Sequence, residues 1–161
     1  MKPLTLNPVG KIRIGREGMF VETEPKYTPA LKELCGFSHL QVLWWFDGCD
    51  NASARTTLET EKPYQKGPDT LGIFATRSPY RPNPIGLSTA RILSIDEKNG
   101  IIQLAYLDAH EGSPVLDLKP YTPSLDRVET PRVPNWCAHW PQSLEESASF
   151  DWAHEFRWSE E

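Results

Sequence analysis

Arg77 and Arg81 stand on a segment whose three prolines, Pro79, Pro82 and Pro84, lack backbone donors and fix φ. Each proline also drives the residue before it, Ser78, Arg81 and Asn83, toward an extended conformation. The stretch 72–88, GIFATRSPYRPNPIGLS, is therefore read as a rigid, unpaired ledge between the strand-like runs 71–76 and 85–95. A guanidinium stays charged and grips carboxylates or phosphates with a fork of donors, so two of them on a stiff backbone are suited to capturing an anion. A barrel corner whose arginines pair with local Asp or Glu is the plainer reading of the same residues.

Three stretches resemble a known family. Residues 72–88 are similar to the signature of the TrmO family, also called TsaA or YaeB-like, whose members use S-adenosylmethionine to methylate N6-threonylcarbamoyladenosine in tRNA. Residues 112–121, GSPVLDLKPY, resemble that family's DGTPVLDIKPY run, and 36–40, GFSHL, leading into an apolar strand, is a weaker third match. Together they cover most of residues 36–121 in the family's order. The resemblance implies an S-adenosylmethionine-dependent methyltransferase, although membership alone does not fix a substrate.

Residue by residue, the resemblance implies cofactor contacts at Asp47, Gly48, Arg77, Leu87, Glu111, Gly112, Ser113 and Pro114. S-adenosylmethionine offers a carboxylate, a sulfonium, and an adenosine with ribose hydroxyls. Arg77 can bind the carboxylate or shape the pocket from behind, while Asp47 and Glu111 can accept hydrogen bonds from ribose hydroxyls or the amine. Phe46, Phe74 or Trp45 can face the sulfonium, although each reads first as a core residue. The sequence departs from the family in three places. Met19-Phe20-Val21 occupies the region of the family's Pro-Arg-Gln, which adds Phe20 to the expected contacts; Asp47 replaces its His and Glu111 its Asp. Read to residue 161, the chain is also expected to lack the extra C-terminal domain that longer bacterial members carry for tRNA.

Methyl transfer from a sulfonium is an in-line displacement, so the protein must align donor and acceptor and exclude water; no covalent nucleophile is needed. With an adenine N6 as acceptor, a base only collects a proton. Asp117 and Asp126 are the candidates linked to the motif, the alternative for Asp117 being a same-face strand pair with Lys119. Tyr121 can stack on a nucleobase, and Arg81, Arg127 and Arg132 can hold phosphate. His39, His110, His139 and His154 show no ligand spacing, and no metal is assigned.

The elements that must position these residues follow from length and pattern. A chain of 161 residues can form one domain with a real core. Its N-terminus lacks an apolar signal region and its longest apolar stretch, 42–46, is too short to span a bilayer, so a soluble, cytoplasmic protein is expected. Cys35, Cys49 and Cys137 are odd in number and lack C-x-x-C spacing, which indicates neither a disulfide framework nor a structural zinc site. The net charge of -5 is unevenly placed: residues 1–132 balance 16 Lys and Arg against 16 Asp and Glu, whereas 133–161 hold one Arg and six acids. A neutral body can still present a local basic face to RNA.

Strands are predicted over 4–14, 19–23, 38–47, 70–77, 85–95, 100–107 and 114–119, with a hairpin turn at 97–100. The 38–47 strand is apolar on both faces, so both should be covered. Thr28, Pro29 and Gly36 frame a short helix over 29–35, and 50–69 reads as a long functional or mobile loop. No Gly-x-Gly-x-x-Gly unit occurs between a strand and a helix, which excludes a Rossmann site. The fold class expected is mainly β, a small antiparallel β-barrel with short helices over residues 1–132, followed by an acidic, Trp-rich C-terminal tail over 133–161.

In that tail Trp136, Trp140, Trp152 and Trp158 cluster, Ser143 and Glu146 form a capping box, and Leu144, Ala148, Trp152 and Phe156 recur every fourth residue. A terminal amphipathic helix is expected, packing on the barrel or a partner subunit in preference to stacking on substrate. With the doubly apolar 38–46 strand, this predicts a homodimer. The sequence thus leads to a methyltransferase acting on modified adenosine in tRNA. Its rivals are a non-enzymatic ligand-binding module and a methyltransferase for a small molecule or protein.

Overall fold

A computed structural model describes residues 3–157. In chain order its strands are β1 (Gly10–Gly15), β2 (Gly18–Thr23), β3 (His39–Trp45), β4 (Glu59–Glu61), β5 (Thr70–Gly72), β6 (Ile85–Asp96), β7 (Ile101–Leu104) and β8 (Pro114–Pro120). Four single-turn helices accompany them: α1 (Ala52–Arg55), α2 (Pro123–Asp126), α3 (Leu144–Ser147) and α4 (Trp152–Glu155). The chain divides into two compact units, Met1–Asp50 with Pro84–Arg127 and Asn51–Asn83 with Val128–Glu161. The expected boundary after residue 132 thus falls inside the second unit, which joins the C-terminal segment to residues 51–83.

The first unit is the anticipated antiparallel barrel, closed in the order β1-β2-β7-β6-β3-β8. Closure pairs every strand on both sides and leaves no open edge. Period-2 alternation puts Ile12, Val21, Leu40, Val42, Trp44, Ala90, Ile102, Leu104 and Val115 inside. Both faces of β3 are apolar, as its sequence requires, with Leu43 and Trp45 half-buried on the outside. The twelve residues of β6 serve two neighbours, pairing with β3 over Ile85–Arg91 and with β7 over Ile92–Asp96. Gly100, at φ +72°, closes the β6–β7 hairpin where it was expected.

Two glycines are dictated by close approach. A Cβ at Gly10 would come within 2.4 Å of the Glu22 carbonyl oxygen, where β1 crosses to β8 and β2. One at Gly86 would come within 2.4 Å of Trp44 Cε2, because the indole lies flat against the bare β6 backbone. Trp44 keeps its polar atom satisfied there, donating from Nε1 to Ser88 Oγ at 3.2 Å.

Several expected elements are shorter or of another kind. The helix over 29–35 is replaced by 3₁₀ turns at Pro25–Leu31 and Leu34–Gly36: Pro25 and Pro29 lack donors, and Glu33, at φ +66°, breaks the run. The strand over 4–14 is confined to β1, and the loop over 50–69 contains α1 and β4. The strand over 70–77 ends at Gly72, gives way to a 3₁₀ turn at Ile73–Ala75, and pairs with β4 in a separate two-stranded ribbon instead of joining the barrel.

In the second unit the single amphipathic helix becomes α3 and α4. The break between them is local: Ser147 O accepts from Trp152 Nε1, and Asp151 Oδ1 accepts from His154 N and restarts the helix. Ser143 Oγ caps α3 by accepting from Glu146 N, while the Glu146 carboxylate reaches back one residue further than a capping box, to Gln142 N. The tryptophan stripe lies in an aromatic cluster of its own unit. Tyr64 stacks on Trp136 at 5.2 Å and meets Trp140 and Phe156 at 4.9 and 5.7 Å, and Trp140 meets Trp152 at 5.5 Å. Trp158 lies outside the described residues. Among the described residues no helix is long and apolar enough to cross a membrane.

Candidate active site

Strand register brings most of the expected cofactor residues to one end of the barrel. Phe46, just past β3, donates its N–H to Pro84 O at 2.8 Å, so Asp47 and Gly48 follow directly beside the start of β6. Trp45 pairs with Ile85 and Trp44 with Val115, which sets Leu87 and the start of β8 on either side of β3. The 111–113 turn runs along β1: Gly112 N donates to Ile12 O, and Ile12 N donates to Ser113 O. Gly112 takes φ +81°, a conformation that glycine adopts without strain. Phe20 pairs with Arg13 near the β1–β2 hairpin at this same end.

The polar groups here have specific partners. Glu111 binds Arg13 Nε at 3.1 Å and accepts from Ile14 N, so its carboxylate is tied to the backbone and a side chain of β1. Arg13 also contacts Glu22 Oε2 at 3.3 Å. Arg13, Phe20, Glu22 and Ile101 line a shallow depression of about 280 Å³ on the outer face of β1, β2 and β7. Ser113 is buried and Asp47 exposed. Burial pushes the Cys49 thiol above its usual range, which keeps it protonated and unsuited to act as a nucleophile. Phe46 packs under Trp44, ring centroids 4.2 Å apart, and so belongs to the core it was first read into.

The two candidate bases have different surroundings. Leu87, Leu43 and Asp117 form one row across β6, β3 and β8 on the outer face, so about 10 Å separates the Leu87 and Asp117 backbones. Asp117 Oδ2 pairs with Lys119 Nζ at 2.7 Å, and that hydrogen bond holds the ammonium above its usual pKa. The pair is partly exposed, which leaves an Asp117 oxygen open to solvent or substrate. Asp126 has both oxygens in local bonds: Oδ1 accepts from Gln41 Nε2 at 3.1 Å and Oδ2 from Thr122 N at 2.7 Å. Gln41 precedes Asp47 by six residues, about 20 Å along the strand. Tyr121 lies farther still, its N–H on His39 O and its ring edge-on to the His39 imidazole at 6.2 Å.

Of the remaining expected contacts, Arg127 ends the first unit, and Arg77, Arg81 and Arg132 belong to the second. Arg81 donates to the carbonyls of Thr76 and Ser78 at 3.4 and 3.5 Å, not to a carboxylate, and lies over the Phe74 ring at 6.0 Å. Phe74 is exposed, so it is not a core residue. The backbone of Arg77 hydrogen-bonds the Tyr64 phenol, whose pKa burial pushes up. Arg13 was missed in the sequence; the alternation that turns Lys11 and Arg13 outward was legible, but the partner Glu111 is far along the chain.

The donor set fits S-adenosylmethionine: an exposed carboxylate at Asp47 for hydroxyl or amine donors, the Glu111 carboxylate fixed by Arg13 and Ile14 N, a buried hydroxyl at Ser113, and apolar surface from Leu87 and Phe20.

The tRNA-methyltransferase O N-terminal domain matches residues 10–127. A probable S-adenosyl-L-methionine-binding protein of Archaeoglobus fulgidus is 35% identical over 121 residues, 75% of this chain and 31% of that protein. The tRNA (adenine(37)-N6)-methyltransferase of Eikenella corrodens is 36% identical over 110 residues, 68% of this chain and 61% of the enzyme. The crystal structure of TrmO superposes with a TM-score of 0.64 at 29% identity, over 82% of this chain and 64% of that one. This chain therefore spans less than two thirds of the length of each of these proteins.

Proposed function

The chain belongs to the family of the tRNA-methyltransferase O N-terminal domain, and from that premise we propose that it is a cytoplasmic S-adenosylmethionine-dependent methyltransferase acting on an adenine N6 in tRNA, with threonylcarbamoyladenosine the acceptor its motifs favour. The observation that carries this reading is the gathering of Asp47, Gly48, Leu87, Glu111, Gly112 and Ser113 at one barrel end by strand pairing alone. S-adenosylmethionine, when bound, supplies an electrophilic methyl group on a sulfonium. The chain's own residues then have positioning work: Glu111, locked by Arg13 and Ile14 N, and Asp47 hold polar groups in register, while Leu87 and Phe20 keep water from apolar surface.

Incubation of purified protein with S-adenosylmethionine and tRNA, followed by mass spectrometry of the nucleosides, tests the reading. A methylated adenosine derivative is the expected product. Cofactor binding with tRNA left unmodified would reject the tRNA substrate and favour a small-molecule or protein acceptor; no cofactor binding would favour the ligand-binding module.

Arg77 is assigned the methionyl carboxylate on motif grounds. Arg77→Ala is expected to weaken S-adenosylmethionine binding by about 1–3 kcal/mol in calorimetry, the usual cost of losing a charged hydrogen-bond partner. Unchanged affinity in a folded variant would reject this assignment. Leu43, Trp45, Ile85 and Leu87 together make an apolar outer face on β3 and β6, which supports a homodimer. Sedimentation is expected to give a dimer at micromolar concentration, and a monomer there would refute it.

A further inference from the structure

The ledge presents two large aromatic rings to solvent: Phe74 is 78% and Tyr80 53% exposed. Rings held at such exposure on a stiff segment are available to a flat ligand. The backbone between them is restrained by Pro79 and by two short-range bonds, Ser78 N to Thr76 Oγ1 at 3.2 Å and Tyr80 N to Ser78 Oγ at 3.3 Å, and Pro82 and Pro84 stiffen the segment that follows. Ordering these rings on binding therefore costs little further backbone entropy.

Arg77 and Arg81 flank Tyr80 in the chain, and residues 70–83 contain no Asp or Glu, the other strand of the ribbon setting Glu59 opposite Gly72. Arg81 bonds only weakly to backbone carbonyls at 3.4 and 3.5 Å, which leaves its charge unneutralised, and its guanidinium lies 6.0 Å from the Phe74 centroid. Flat rings interleaved with fixed cations, on an acid-free segment, match a polyanion that carries flat groups of its own. A second copy of this chain, with an overall charge of -5, can also cover the rings and pair carboxylates with the arginines, so the test below reads the oligomeric state beside RNA affinity. A base-free polyanion would use the arginines and leave the rings unused.

We infer that the ledge is a single-stranded RNA platform in which Phe74 and Tyr80 stack on bases while Arg81 holds the intervening phosphate. The inference rests on the reading of the chain as a tRNA-modifying protein and extends it by naming where unpaired nucleotides lie.

The test is fluorescence anisotropy of a labelled oligoadenylate of about ten nucleotides, a length within the usual site size, against the wild-type protein, Phe74→Ala, Tyr80→Ala, Phe74→Trp and Phe74→Leu, with heparin as a base-free polyanion. Phe74→Ala and Tyr80→Ala are each expected to weaken oligoadenylate binding on the order of tenfold, the size of one lost base stack. Heparin affinity should stay unchanged. Phe74→Trp should bind at least as well as wild type, and Phe74→Leu, which keeps apolar area but loses the π-face, should bind as poorly as Phe74→Ala. Both rings are exposed, so these variants should fold, and unchanged thermal melting checks it. Wild-type binding that all four variants retain would overturn the platform while leaving the tRNA reading standing. Failure of the wild-type protein to bind either oligoadenylate or tRNA would overturn both. A shift of the alanine variants from dimer to monomer with unchanged RNA affinity would assign the rings to a subunit interface and likewise overturn the inference.

Discussion

Gly86→Ala is expected to destabilise the barrel by about 2–3 kcal/mol, at the upper end of what one added methyl costs in a packed interior. The methyl would meet three atoms of the Trp44 indole, at 2.4, 2.7 and 2.9 Å. The indole is held by Ser88 and packs against Phe46, so it cannot step aside without losing a hydrogen bond and a ring contact. The alternative is for β6 to move outward, which breaks its pairing with β3 at Trp44–Gly86 and carries Pro84 and Leu87 along. Urea denaturation measures the loss, and calorimetry should show S-adenosylmethionine affinity falling with it, because Phe46 N on Pro84 O sets the position of Asp47. In a Trp44→Leu background the same glycine change should cost clearly less, a coupling that a double-mutant cycle reads directly. Gly72→Ala, where nothing lies within 4 Å of the added Cβ, should be close to neutral. Equal stability of Gly86→Ala and wild type would sink the account.

That contact illustrates what the chain hides. The alternation of Leu40, Val42 and Trp44 against Gln41, Leu43 and Trp45 announces a strand covered on both faces, and the barrel follows from several such runs joined by short turns. Nothing near Gly86 announces that an indole from another strand lies on it, because the approach depends on register. The same holds for Arg13 and Glu111, which strand pairing brings together from distant parts of the chain. Errors in element type have local causes. The run 71–76 is apolar enough for a strand, yet Ile73 O accepts from Thr76 N and from Thr76 Oγ1, so the backbone curls into a 3₁₀ turn. The signals at Thr28, Pro29 and Gly36 suit a helix, but Pro25 and Pro29 leave too few donors for an α-helix to nucleate. The motif residues of the candidate site were legible through resemblance, whereas choosing between Asp117 and Asp126 needed the bonds each one makes.

That choice carries the largest functional effect. In the proposed reaction, loss of a proton from the acceptor nitrogen must accompany formation of the new N–C bond as the methyl leaves the sulfonium, and we assign its collection to Asp117. Asp117 shares a row with Leu87 and keeps an oxygen beyond its bond to Lys119, whereas both Asp126 oxygens are taken by Gln41 and Thr122. Asp117→Asn is expected to lower kcat by about 100-fold or more while leaving S-adenosylmethionine affinity unchanged, since the amide keeps the shape but cannot accept the proton. Asp126→Ala should behave in the opposite way, costing about 1 kcal/mol of stability through the lost bond to Thr122 N and leaving kcat intact in the folded protein. Single-turnover methylation of tRNA, measured alongside thermal melting, separates the two outcomes. If Asp117→Asn turns over at the wild-type rate, the proton leaves directly to water and the Asp117–Lys119 contact is a strand pair with no part in the chemistry.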